Sequence, residues 1–140
     1  MTSVDLQKQL TARFLTLNDF SGIEYLTEKN VSYPNVNFKK PDDKRYFVLN
    51  FMFNDPNAVA NFSDAQDEYT GIFQIDICTP LDKGESESNS KFEWISKLFP
   101  RGATFDDIEI TRTPSKKATY ESDCYKAIVR IEFVARIDKE

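Results

Sequence analysis

A chain of 140 residues fits one domain and can bury a core of its own. With 40% hydrophobic residues, 14% aromatic residues and 12 Phe it is too apolar to be a disordered tail, and most of the Phe must be core or interface. The net charge of −5 is unevenly spread: from Tyr46 to Asp82 there are six acids (Asp55, Asp64, Asp67, Glu68, Asp76, Asp82) and no Lys or Arg, which argues against phosphate binding there.

The N-terminal segment carries charges throughout and lacks the apolar run of a secretory signal. No stretch approaches the ~18 apolar residues of a membrane span. Cys78 and Cys124 are far apart, match no metal-binding spacing and fall in predicted strands, where a Cys is usually a small apolar filler. The expectation is a reduced, cytoplasmic protein without membrane contact.

The first predicted helix runs from Val4 to Leu17, with Ser3 as N-cap and Leu6, Leu10, Phe14 and Leu17 at helical spacing. Gly22 punctuates its end, and Ile23 to Leu26 reads as a short strand. Asn30 to Lys44, with Pro34 and Pro41, reads as irregular. Arg45 to Asn54 is a strand with Phe47, Leu49, Phe51 and Phe53 on one face. Tyr46, Val48 and Met52 make its other face largely apolar, so it is either central or meets another subunit. Asp55 to Thr70 is polar and reads as an extended loop or mobile hairpin tip, a length that is often functional.

Gly71 to Thr79 is the next strand, with Phe73, Ile75 and Ile77 on one face and Ile72, Gln74, Asp76 and Cys78 on the other. Leu81 to Asn89 is a linker into a second helix, Ser88 to Phe99, whose stripe is Phe92, Ile95, Leu98 and Phe99 and which Pro100 stops. Asp107 to Arg112 reads as a strand and Thr113 to Thr119 as a mobile polar loop. The closing strand is the clearest: Tyr125, Ala127, Val129, Ile131, Phe133, Ala135 and Ile137 face one way, against Lys126, Arg130, Glu132 and Arg136 joined by Ile128 and Val134. The simplest assembly is α+β: one mostly antiparallel β-sheet with two helices packed on one face, as a single domain over residues 1–140.

Catalysis finds little support. There is no His, and the glycine-rich phosphate loops G-x-x-x-x-G-K-[ST] and G-x-G-x-x-G do not occur among the four Gly. Three carboxylate groups remain: Asp42 with Asp43 and Lys44, Asp64 with Asp67 and Glu68, and Asp106 with Asp107 and Glu109. Each is read as surface charge, and a metal-dependent hydrolase acting through Asp42 and Asp43 is the distant alternative. No cofactor, metal or specific nucleic-acid ligand is expected.

Several strings carry a resemblance. Tyr69-Thr70-Gly71-Ile72-Phe73-Gln74-Ile75-Asp76-Ile77 is followed by Thr79-Pro80 and a Gly-bearing linker. Then come Leu98-Phe99-Pro100-Arg101-Gly102 at a helix end and the closing strand Tyr125 to Ala135. Asn35-Val36-Asn37-Phe38, Pro41 and Tyr46-Phe47-Val48 precede them in the same order. Together they resemble the tail terminator (minor tail, or tail-completion) proteins of tailed bacteriophages.

The resemblance implies a structural subunit that assembles in the host cytoplasm and ends in the virion tail. Its ring, commonly of six copies, would cap the tail tube and dock the head. Its partners would be itself, the tail tube protein and a head-completion or connector protein, and no catalytic residues come with that role. Tyr46, Val48, Met52, Phe62 and Tyr69 are the candidate subunit-interface residues. Asp64, Asp67 and Glu68 are candidates for an acidic loop facing a channel through which DNA passes. A neck or head-completion protein and a soluble interaction domain remain the alternatives.

Overall fold

The computed structural model describes residues 3–16, 26, 29–54, 57–58, 66–82, 84–121 and 124–138. In chain order the elements are α1 (Ser3–Leu15), β1 (Val31–Ser32), β2 (Tyr46–Phe53), β3 (Asn57–Ala58), β4 (Gln66–Thr79), α2 (Ser86–Leu98), β5 (Thr104–Phe105), β6 (Ile108–Ile110), β7 (Ser115–Tyr120) and β8 (Tyr125–Asp138). The strands form one eight-stranded sheet in the order β1-β2-β4-β8-β6-β5, with β3 on β4 and β7 on β8. Every pairing is antiparallel except β1 with β2.

Two 14-residue strands, β4 and β8, run side by side along their full length and form the spine. Period-two alternation sends Phe73, Ile75 and Ile77 of β4 to the same face as Ala127, Val129, Ile131, Phe133 and Ala135 of β8. Phe47 and Leu49 of β2 and Ile108 and Ile110 of β6 extend that face. Leu6, Leu10 and Phe14, one turn apart on α1, and Ile95, Leu98 and Phe99 at the end of α2 bury against it in one cluster. Each such side chain removed from water contributes about 1.5–3 kcal/mol. The fold is thus α+β, a mostly antiparallel sheet with both helices on one face.

The core is an aromatic network. Phe73 lies 4.9 Å from Phe51 in a stacked pair and meets Phe14 and Phe99 edge-on at 6.4 and 5.8 Å. Of the 12 Phe, nine belong to this cluster or pack against it and Phe38 joins a smaller one; Phe20 and Phe62 lie outside the described residues. Arg13 in the last turn of α1 donates to the Leu98 carbonyl at 3.0 Å and sits 5.1 Å from the Phe105 ring, tying the two helices together.

Several expectations are corrected. Residues 115–119, read as part of a mobile loop, form β7 together with Tyr120, because the exposed edge of β8 offers a ladder that a polar segment can join as readily as an apolar one. The strand read as starting at Gly71 begins at Gln66, so the polar run 66–70 is sheet, paired with β8 and in part with β3. The irregular stretch after Asn30 contains β1, and α2 starts at Ser86, within the segment read as a linker. Of the short strand expected at Ile23 to Leu26, only Leu26 lies among the described residues; it is buried and in no strand.

Candidate assembly surface

The second face of the sheet has no helix over it among the described residues. The register places Val48, Asn50 and Met52 of β2 beside Asp76, Gln74 and Ile72 of β4. Ile128, Arg130, Glu132 and Val134 of β8 continue the same layer. Val48, Ile72 and Ile128 are half-buried and Met52 is 45% exposed. A sheet face turned to water ordinarily alternates toward polar residues. Here five aliphatic or Met side chains interrupt the charges.

The charged residues of this face are largely paired. Arg136 reaches Glu68 at 3.1 Å, Arg112 reaches Glu132 at 3.2 Å and Lys126 lies 3.6 Å from Glu121. Such half-exposed pairs contribute little stability, but they leave the face close to neutral. Asp76 is different: it is 6% exposed, between Val48 and Ile128, and accepts a hydrogen bond from Gln74 Nε2 at 3.1 Å. Burial raises its pKa above the ordinary carboxylate range, and Glu121 adds to this. The Gln74 hydrogen bond and the Lys126 charge act in the opposite sense.

The direction of that shift sets a test. Asp76 is costliest to the fold when ionised, so its contribution is most favourable below the unfolded-state pKa. The contribution is lost as pH rises through the raised folded value. Asp76→Asn is therefore expected to be at least as stable as wild type at pH 7, with the difference shrinking as pH falls toward ~4. Urea denaturation at both pH values checks this; a variant less stable than wild type at pH 7 contradicts it.

One end of the face is sealed. Tyr46, Cys78 and Cys124 form a small buried cluster, capped by Phe38, whose ring lies 5.4 Å from that of Tyr46. Burial pushes the Cys78 thiol up to about 12 and raises the Tyr46 phenol as well. Both groups stay protonated near neutral pH.

Of the five candidate interface residues four are described, and these four do not share one open face. Val48 and Met52 share the open face, whereas Tyr46 points the same way but lies beneath Phe38. Tyr69 alternates onto the helix side, half-buried against the main core, because it is two residues from Gly71 and four from Phe73. Phe62 lies outside the described residues, as does Asp64. Asp67 is in β4, and Glu68 is bound to Arg136. Ile72, Ile128 and Val134 complete the apolar part of the face, and their interruption of an otherwise polar alternation was already visible in the sequence.

Three of the other candidate carboxylates, Asp43, Asp106 and Asp107, have structural roles, whereas Asp42 and Glu109 are exposed. Asp43 Oδ1 accepts from the Arg45 backbone N–H at 3.0 Å within the turn before β2. Asp106, at φ +50°, and Asp107 make the turn between β5 and β6, and Asp107 accepts from Gln9 of α1 at 3.1 Å. Among the described residues no three His, Cys, Asp or Glu side chains gather as a metal ion would need. Nor is any helix there long and apolar enough to cross a membrane.

Comparison with known proteins agrees with this picture of a structural subunit. A solved protein structure superimposes with a TM-score of 0.75 over 100% of this chain and 99% of the other, at 14% identity, a likeness that speaks to the fold alone. A comparison with curated proteins finds no match. The family model described as phage tail terminator protein matches residues 5–133. That match spans most of α1, all of α2, all of β1 to β7 and most of β8, so the chain belongs to the phage tail terminator family, a component of bacteriophage tails.

Proposed function

We propose that this protein closes the head-proximal end of a bacteriophage tail tube as a ring of identical subunits, commonly six, and gives the head its docking surface. The observation that carries the reading is the family match across residues 5–133. The partly apolar sheet face supports it, since a subunit that works by assembly needs surfaces that are not fully committed to water. Val48 and Met52, with Ile72 beside them, are the residues we assign to contact with neighbouring proteins. The partners are further copies of the chain, the tail tube protein and a head-completion or connector protein. Assembly takes place in the host cytoplasm and the product stays in the virion tail.

The reading has a direct assay. Tail tube protein polymerising in vitro should stop elongating when this protein is added at far less than one copy per tube subunit. Tubes that keep growing to the same length distribution would contradict it.

The acidic stretch at Asp64, Asp67 and Glu68 is assigned to the channel, where negative charge would keep passing DNA from adhering. Replacing all three with Lys is expected to impair DNA passage and lower phage titre by an order of magnitude or more, since added cations bind phosphate strongly at physiological salt. Undiminished titre would remove the assignment.

A further inference from the structure

The exposed large apolar side chains of the described residues gather at two places. Val36, 60% exposed, and Met52 lie at the β1–β2 edge of the sheet; Tyr120, 76% exposed, lies on β7 at the opposite side. Both edges are open among the described residues. Glu121 N–H donates to the Cys124 carbonyl, so alternation turns the N–H and C=O of Lys116, Ala118 and Tyr120 outward from β7. Phe47 N–H donates outward to the Asn30 carbonyl, so Phe51 and Phe53 also point outward, beyond the reach of the two-residue β1.

Three observations fit these two edges to each other. First, polarity: β2, β4, β8 and β7 are successively antiparallel, so β7 of a copy placed beyond β2 would meet it antiparallel. Second, face: Tyr120 registers with Tyr125 and Ala118 with Ala127, on the helix side, the same side as Phe51. Third, shape: beside Phe51 an open groove of about 420 Å³ runs between α1 and the β2 edge, lined by Lys8, Thr11, Ala12, Leu15 and Tyr33 among others.

We infer that Tyr120 of one subunit seats in the groove between α1 and the β2 edge of the next copy. This rests on the ring reading above. The join is head-to-tail: each subunit offers one knob and one groove, on different surfaces, which is what ring closure requires and what a two-fold dimer cannot use. A tyrosine is suited to the part, with a large apolar ring and a hydroxyl that stays hydrogen-bonded at a rim.

Two variants at exposed positions test it. Tyr120→Ala removes the knob, and Ala12→Trp fills the groove; neither residue is in the core. Each variant alone is expected to keep its circular dichroism and to raise the subunit dissociation constant on the order of 30-fold, as loss of a hot-spot aromatic does. Mixed, they should stop at a dimer, because only one productive junction exists between them. A chain carrying both Ala12→Cys and Tyr120→Cys should give a covalent ladder on mild oxidation, which neither single variant gives. The same measurements are made on purified tail tubes as well as in solution. If wild type forms rings while both variants do so equally and no ladder appears, the inference is overturned and the ring stands. If wild type forms no ring in solution or on tubes, both fall.

Discussion

Phe73→Ala is expected to remove about 3–5 kcal/mol of stability, the range for emptying a large aromatic site in a packed core. Phe73 is fully buried in the middle strand and is the ring on which Phe14, Phe51 and Phe99 converge from α1, β2 and the end of α2. Its loss would cost the transfer free energy of the ring and would also leave a cavity that neither helix can collapse into without losing its other contacts. Against a total of about 5–15 kcal/mol for a native domain, that is a large share. Urea denaturation followed through Trp94, the single tryptophan and itself packed against the core, measures it. Phe73→Leu should lose clearly less, because part of the volume is kept. A Phe73→Ala midpoint close to wild type would mean that the helices do not pack on this face as described.

The second large effect comes from adding atoms. Gly71 sits in β4 opposite Phe53 on one side and Phe133 on the other. A Cβ there would lie 2.5 Å from the Met52 carbonyl oxygen and 3.0 Å from Phe133 Cζ. In an open strand, Gly→Ala restricts the unfolded chain and is often mildly stabilising. Here the nearest obstacle is backbone, so β2 itself must shift, and Gly71→Ala is expected to lose about 1–3 kcal/mol. The same shift would move Met52, so assembly should weaken along with stability. A variant as stable as wild type would place β2 further from β4 than the register requires.

Much of this architecture could be read in advance, for a physical reason. Leu6, Leu10 and Phe14 repeat at the helical period, and β2, β4 and β8 alternate at period two, because each packs one face on a single core. What could not be read depends on distant partners. Ser115–Tyr120 has no apolar alternation; it is a strand because β8 extends past β6 and leaves half its edge free to pair. Val31–Ser32 is too short to have a pattern and is defined only by parallel pairing to β2. Gln66 to Thr70 is polar because this stretch of β4 is held by ladder bonds to β8 more than by burial.

The facing of β2 is legible in its alternation, which turns Val48 and Met52 away from the helices. Tyr46 looked equivalent on spacing alone, but Phe38, from a segment without periodicity, folds over it. Tyr69 lies in a stretch whose sequence shows no strand; because β4 reaches back to Gln66, alternation with Gly71 and Phe73 turns it inward. Tyr120 does not stand out in the sequence, where its neighbours are Lys, Ala and Thr; an exposed aromatic on β7 gains meaning only beside an opposite edge with a matching groove.

The central claim is that this 16.2 kDa chain works as a closed ring on a tail tube. Native mass spectrometry over a range of concentrations, with and without purified tubes, tests it most directly. The account predicts a single closed oligomer, of six copies if it follows its family, either free or released from tube ends. A chain that stays monomeric in both settings, and leaves tube ends unoccupied, would contradict it.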